Sequence, residues 1–532
     1  MKHVLTRTLA GILAIAPLAA SAAAEAPSPP ASAQEIFTPD QVESTGSVTV
    51  GGQRIAYHAY AGRLVVHPKG WDDTADLTAS HDKDADKEPS AVAAMSYTAY
   101  FKDGAPAADR PITFVFNGGP GSSTLWLHMG AFGPVRVVTS ASQHTPPAPY
   151  KIVNNDHSLL DVSDVVFIDA PGTGFGRVAG KDAAKSFYGV DQDIHAFAEF
   201  ISQFLSKYDR WNSPKYLFGE SYGTMRAAGL TLALQRKDID LNGTILLSDI
   251  LNWDLMPDDP QLNPSIDEPY IVALPTYAAT AWYHNRLPEK PADLETFLAK
   301  VEDFATTDYA AALLKGNALS DADRKAMAER LHDYTGLSVA YLLKTNLRIE
   351  YGAFQKELLG DADLTTGTLD TRFTGPTMDP LSKVASYDPQ SAAISSAYVA
   401  AFNTYIRQTL HYGLGQTYKA GINIYASWDY RHRPPGSDRD MIALPNVLPD
   451  LAAAMKQNPT LKVMVNGGYF DVSTPYFEGK FEMRHLPVPP ALQANVEYHY
   501  YHSGHMVYVI PEVLAKLHAN VADFIRRTDG LN

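Results

Sequence analysis

The stretch Leu217-Phe218-Gly219-Glu220-Ser221-Tyr222-Gly223 decides how the rest of this 532-residue chain is read. It has the Gly-x-Ser-x-Gly spacing. An apolar run at 216–218 leads in as a short buried strand, and 224–234 (TMRAAGLTLAL) leads out with the apolar content of a packed helix. Between them the chain must reverse within a few atoms, and glycines two residues either side of the serine remove the Cβ atoms that would block the turn. Such an elbow holds the Ser221 hydroxyl clear of the sheet and at a helix N-terminus, where backbone N–H groups can meet a developing oxyanion. The competing reading is a serine in an ordinary βα turn, so the flanking sequence must supply the rest of a site.

Upstream, 95–101 (MSYTAYF) and 111–116 (PITFVF) read as strands, and the second runs into Asn117-Gly118-Gly119-Pro120-Gly121-Ser122-Ser123. A glycine-rich turn at a strand end lets backbone amides approach an oxyanion or a phosphate. Gly-x-Gly-x-x-Gly and the Walker lysine are both absent, which weakens the nucleotide reading. A further strand, 164–168 (DVVFI), precedes Asp169-Ala170-Pro171-Gly172-Thr173-Gly174-Phe175-Gly176, and 182–205 has apolar residues at helical spacing. Strand, helix, strand, tight turn and helix in this order predict an α/β fold with a doubly wound, mostly parallel sheet.

Further out, the chain divides by composition. Residues 1–24 join Lys2 and Arg7 to an apolar run and a small-residue end, as in a cleaved secretory signal. A flexible leader is expected at 25–45, hairpin strands at 46–66 and an exposed charged loop at 72–88. The core's first part spans 46–251. From 252 to 412 strand signals nearly vanish and helical stretches dominate, among them 293–304 and 320–332, where Ser320 and Asp323 resemble an N-terminal capping box. This segment is read as a helical cap insertion. The core resumes over 413–532 with strands at 461–465 and 496–501 and a last helix at 511–527.

Composition narrows the function classes. The formal net charge of -15 and the lack of clustered Lys and Arg argue against nucleic acid or anionic lipid as partners. No cysteine is present, which excludes disulfides, thiolate catalysis and cysteine-bound metal. No later stretch is long and apolar enough for a membrane span. An exported protein, periplasmic or extracellular, is expected; the oligomeric state is not legible.

A nucleophilic Ser221 needs a base and a residue to orient that base. Asp471 follows one predicted sheet strand and His505 follows the next, after a long gap that carries the inserted helices. Among the 17 histidines, His502 is the rival base; His505 is preferred because Gly504 allows its imidazole a tight, exposed turn. No cofactor or metal is called for, since no His-Glu-x-x-His occurs and His499, His502 and His505 fall on a strand and its loop.

The segments Asn117-Gly118-Gly119-Pro120-Gly121-Ser122-Ser123, Pro171-Gly172-Thr173-Gly174-Phe175, Gly219-Glu220-Ser221-Tyr222-Gly223, Gly468-Tyr469-Phe470-Asp471 and Gly504-His505-Met506-Val507 together resemble the serine carboxypeptidases. The resemblance implies an α/β-hydrolase fold in which Ser221 is the nucleophile, His505 its base and Asp471 the orienter. It implies an oxyanion hole from the backbone amides of Gly119 and Tyr222, and a site for the substrate's terminal carboxylate at Asn117 and Glu220. Peptides would be the substrates, cut through an acyl-enzyme. Glu220 must be protonated to donate to a carboxylate, so better peptidase activity is expected at acidic pH.

Two positions depart from the family pattern. Ala131 stands where the family's second glutamate, partner to the one before the serine, is expected, and Ser122 replaces a cysteine, as in a disulfide-free branch. Arg226 then has two readings: it pairs with Glu220 and keeps it ionised, or it forms a helix-surface salt bridge. An esterase or acyltransferase using the same triad is the alternative function, and a non-catalytic exported binding protein a third.

Overall fold

The computed structural model describes residues 36–72, 90–257, 260–441 and 444–531. The expected signal, the leader up to residue 35 and the charged loop beyond residue 72 lie outside the described residues. Nine strands form the path of the main sheet: β1 (Asp40–Val50), β2 (Gln53–Val66), β3 (Val92–Lys102), β4 (Ile112–Phe116), β5 (Asp164–Ile168), β6 (Lys215–Glu220), β7 (Gly243–Leu247), β8 (Lys462–Gly468) and β9 (Val496–Tyr501). Their spatial order is β1-β2-β3-β5-β4-β6-β7-β8-β9, with a short strand, Arg177–Ala179, also paired to β3. The first three are antiparallel neighbours, and β5 through β9 run parallel.

Burial explains the sequence of the parallel strands. Every residue of β4, β5, β6 and β7 is buried, as expected where helices cover both faces, so these strands read as continuous apolar runs rather than alternating ones. On one face Phe114, Phe116, Val166, Ile168 and Leu217 pack with Ile194, Phe197 and Leu230. On the other, Val115, Phe167, Phe218 and Ile245 pack with Leu514, Leu517 and Val521 of the last helix. This three-layer arrangement with a strand–serine–helix turn at its centre is an α/β-hydrolase fold.

Three expectations are corrected. The leader does not extend to 45: β1 starts at Asp40 and pairs with β2 along its whole length, with Arg63 Nε donating to Asp40 Oδ1 at 3.1 Å. Its polar composition hides an alternating exposure pattern, the mark of a one-sided strand. The helix at 182–205 is two helices, α1 (Ala183–Phe187) and α2 (Val190–Lys207). Gly189 is extended between them and forms a bridge with Asp429, and Val190 N–H donates to the Asp429 carbonyl at 3.0 Å. Tertiary pairing there outweighs helical propensity.

The third concerns the insertion. Glu268–Tyr283, Leu294–Phe304 and Asp321–Thr335 build a separate apolar cluster that leans on Phe470, Val472 and Phe477. Asp293 and Ser320 cap the latter two helices, their side chains accepting from Thr296 and Asp323 N–H. The helix Pro389–Gln408, by contrast, packs Ala397, Tyr398, Ala401 and Phe402 into the second sheet-face core. Packing therefore assigns this helix to the sheet, although it lies inside the expected 252–412 cap.

Candidate active site

Parallel register gathers the candidate residues at one edge. Phe116 pairs with Gly219, and Leu247 with both Glu220 and Asn466, so the loops that leave these strands open onto the same end of the sheet. At the elbow, α3 (Tyr222–Gln235) begins directly after Ser221, which has φ +63° and ψ -135°. A Cβ on Gly219 would lie 2.1 Å from the Gly223 carbonyl oxygen, so only glycine fits where the chain crosses itself. Backbone bonds fix the strained residue: Ser221 N–H donates to Leu247 O at 3.0 Å and Thr224 N–H to Ser221 O at 2.7 Å.

His505 Nδ1 lies 2.7 Å from Asp471 Oδ2. Asp471 is fully buried and accepts three further bonds, from Ser473 N–H (2.9 Å), Thr474 N–H (3.1 Å) and the Thr474 hydroxyl (2.7 Å). These donors hold the carboxylate in one orientation. Burial pushes the His505 imidazole down, but the Asp471 charge, the bond to it and the Glu220 charge more than compensate, so its pKa is raised above 6.5. His502 points elsewhere: its Nε2 bonds Glu295 at 2.6 Å on the surface. Ser221 and His505 line one cavity, although no hydrogen bond joins them among the described residues. Such bonds commonly tighten only when substrate binds.

That cavity, about 260 Å³, continues from Ser221 past Gly119 to a polar floor of Asn117 and Glu220. Asn117 Nδ2 donates to Glu220 Oε1 at 3.0 Å, and Asn117 Oδ1 accepts from Leu127 N–H at 3.2 Å. Burial raises the Glu220 carboxyl to about 7, against the His505 charge, the neighbouring Tyr508 hydroxyl and the Asn117 amide, which lower it. Glu220 Oε2 and the Tyr508 hydroxyl are buried near one another, yet neither closes a hydrogen bond of ordinary geometry among the described residues. Ala131 is buried and brings no polar group to this floor.

Arg226 corrects the sequence reading in both its forms. It neither pairs with Glu220 nor lies on the surface. Fully buried, it donates from Nε to Asp193 Oδ2 at 2.7 Å and from Nη1 to the Asn117 carbonyl at 2.7 Å. The turn that carries Asn117 is thus braced by a charge from the elbow helix.

A second cavity of about 370 Å³ opens on the other side of Ser221, lined by Tyr222, Ile250, Trp253, Met256, Tyr430 and Leu444. Tyr425 stands at the divide, bordering both cavities and donating its hydroxyl to the Gly119 carbonyl at 3.0 Å. The Gly119 and Tyr222 N–H groups donate to no acceptor among the described residues, which leaves them available to an oxyanion. Sequence reasoning missed Thr474, Tyr425 and Leu369, which lines the first cavity and whose carbonyl accepts the His505 N–H at 2.6 Å. Thr474 carried a usable signal: an Asp side chain forms an Asx turn with the N–H two residues on, here Ser473, and that turn places the hydroxyl of a threonine one residue further at the carboxylate. Tyr425 and Leu369 carried none. No group of three or more His, Cys, Asp or Glu among the described residues is arranged to hold a metal ion.

Residues 88–247 match the family model described as serine carboxypeptidase. The chain is 31% identical over 142 residues to the pheromone-processing carboxypeptidase KEX1 of Yarrowia lipolytica, a match covering 26% of this chain and 21% of that protein. It is 31% identical over 124 residues to a carboxypeptidase Y homolog of Arthroderma benhamiae, covering 23% and 22%. These matches thus span about a fifth of the relatives' lengths. Among solved structures, a proline iminopeptidase of Mycobacterium smegmatis aligns over 91% of this chain and 99% of its own at 12% identity and a TM-score of 0.33.

Proposed function

The chain is related to the serine carboxypeptidases, and on that premise we propose that it is a serine-type carboxypeptidase that releases C-terminal residues from peptides. His505 Nε2 takes the Ser221 proton as Oγ attacks the scissile carbonyl, and Asp471 stabilises the imidazolium. The Gly119 and Tyr222 N–H groups receive the oxyanion; loss of one such donor typically costs roughly 10²–10³ in rate. His505 then protonates the departing amine, and water, activated by the same histidine, hydrolyses the acyl-enzyme.

One observation carries the exopeptidase reading. Beside Ser221, on the Asn117 side, lies a buried carboxyl raised to about 7 with one oxygen unpartnered among the described residues. A protonated Glu220 can donate to a terminal carboxylate; an ionised one would repel it. With the carboxylate on that side, the aromatic and aliphatic cavity on the other takes the side chain preceding the cleaved bond, favouring large apolar residues there.

The test offers a blocked dipeptide, its C-terminal amide and a simple ester to wild type and to Ser221→Ala, with fluorophosphonate labelling as a check on the nucleophile. Release of a free amino acid from the acid form, none from the amide, and loss of labelling in Ser221→Ala support the proposal. Ala131 favours a second reading, an esterase or acyltransferase, because the carboxylate floor lacks its second acid. Ester cleavage alone would establish it.

We also propose export to a periplasm or beyond the cell, from residues 1–24. No helix of the described residues is long and apolar enough to cross a membrane. Fractionation followed by N-terminal sequencing tests the export. Peptides are the proposed partners, with no nucleic acid.

A further inference from the structure

Gln390 belongs to none of the motifs above, yet it borders the same cavity as Ser221, Asn117 and Glu220. It sits in the first turn of the 20-residue helix Pro389–Gln408 and is completely buried. Neither its Nε2 nor its Oε1 has a hydrogen-bond partner among the described residues. A buried primary amide with both ends unused is uncommon, because leaving such a group unpaired is costly. Folding alone would favour an apolar residue of the same shape here.

The helix that carries it is tied to the candidate base. Its capping residue, Asp388, accepts from Ser391 N–H at 2.8 Å and from Thr368 N–H at 2.7 Å. The next residue, Leu369, accepts the His505 N–H at 2.6 Å. Gln390 is therefore held in register with the imidazole, and it lines the cavity whose floor is short of donors. Ala131 contributes none, and Asn117 already spends its Oδ1 and one Nδ2 hydrogen on Leu127 and Glu220.

Resting on the carboxypeptidase reading, we infer that Gln390 is a substrate-binding residue whose Nε2 donates to the terminal carboxylate of the peptide, alongside Asn117 and Glu220. An amide gives its hydrogens at every pH, unlike a carboxylic acid. It supplies from the helix Pro389–Gln408 a donor that the family's own floor lacks in this chain.

The experiment compares wild type with Gln390→Met on a blocked dipeptide and on its C-terminal methyl ester, following melting temperature in parallel. Methionine keeps the volume and removes both hydrogen-bonding atoms. The expected result is a KM for the free acid raised tenfold or more, with kcat within threefold, kcat/KM for the ester within threefold and a melting temperature unchanged or higher. An equal fall on both substrates, no change on either, or a lowered melting temperature overturns the assignment of Gln390 alone. A wild type that cleaves the ester and never the acid overturns the carboxypeptidase reading and the Gln390 assignment with it.

Discussion

The backbone N–H of His505 donates to the carbonyl of Leu369 at 2.6 Å, so the loop that presents the imidazole is fastened to a segment far from the sheet in sequence. Two more backbone bonds extend the seam, Thr371 N–H to Phe470 O at 2.9 Å and Val472 N–H to Thr368 O at 3.2 Å. Residues 368–371 are thereby inserted between the Asp471 loop and the His505 loop, and Ser248 Oγ holds the His505 carbonyl from the sheet side at 2.7 Å.

Gly504→Ala should disrupt this seam. The added Cβ would stand 2.4 Å from Asp370 Cβ and 2.5 Å from the Leu369 carbonyl, and a backbone atom cannot swing away. A stability loss of about 1–3 kcal/mol is expected, as for other overpacked sites, with a larger fall in kcat/KM because the imidazole is displaced. Denaturant unfolding and fluorophosphonate labelling rates check the two effects separately. Unaltered labelling would show that the seam does not position His505.

The Asp471 carboxylate should matter through orientation. Asp471→Asn is expected to lower kcat by roughly 10⁴, the size seen when a serine-protease triad loses its acid. Thr474→Val, which removes one charge-assisted hydrogen bond, should cost about 10-fold or more. Steady-state kinetics on an ester substrate measures both without involving the carboxylate floor.

Activity should depend on pH differently for two substrate types. His505 must be neutral to act as base, so both activities rise with pH through its raised pKa. Glu220, raised to about 7 by burial, must stay protonated to donate to a carboxylate, so cleavage of free-acid peptides falls again as pH rises through 7. Ester hydrolysis keeps only the rising limb. The expected preference for acidic pH thus becomes a narrow bell for peptides, and Glu220→Gln should remove its alkaline side. Identical profiles for acid and ester would refute the role of Glu220.

Stability should fall on the alkaline side as well. Burial raises Glu220 and Asp249 to about 7, so the folded state binds protons that the unfolded chain has released above about pH 4. His432 starts from burial, which lowers it, but Asp191 and Asp450 bond it at 2.7 and 2.8 Å and raise it to about 9. All three carry raised folded-state values, so their contribution is complete below the unfolded pKa and is lost as pH passes the folded one. Burial lowers His128 to about 3, which acts in the opposite direction, though only below about pH 6.5. A melting temperature that declines from about pH 5 to 9 is expected: Glu220, worth up to about 3 kcal/mol, and Asp249 lose their contribution mainly between about pH 4.5 and 7, where His128 offsets part of it, and His432 loses its own between about 6.5 and 9. Glu220→Gln should flatten part of the decline.

The Arg226–Asp193 pair should be costly to break singly. Both side chains are buried, so Arg226→Met leaves an uncompensated carboxylate and is expected to destabilise by about 3–5 kcal/mol. Adding Asp193→Leu should recover most of that loss. Urea unfolding of the two single variants and the double variant provides the cycle.

What the amino-acid sequence determined by itself was local. The apolar runs of β4 to β7, the glycines around Ser221, the capped helices at Asp293 and Ser320, and the strand-end positions of Asp471 and His505 were legible, because each depends on chain geometry within a few residues. The tertiary structure decided what depends on distant partners. It gave Arg226 to Asp193, paired Asp40–Val50 with β2, ended α1 where Gly189 meets Asp429, and put His502 against Glu295 and His505 against Asp471. It also brought Leu369 and Gln390 to the elbow, more than a hundred residues from Ser221 in the chain. Local propensity and spacing record conformational limits on neighbouring atoms, whereas burial, charge pairing and the supply of hydrogen-bond donors exist only once remote segments share one low-dielectric space.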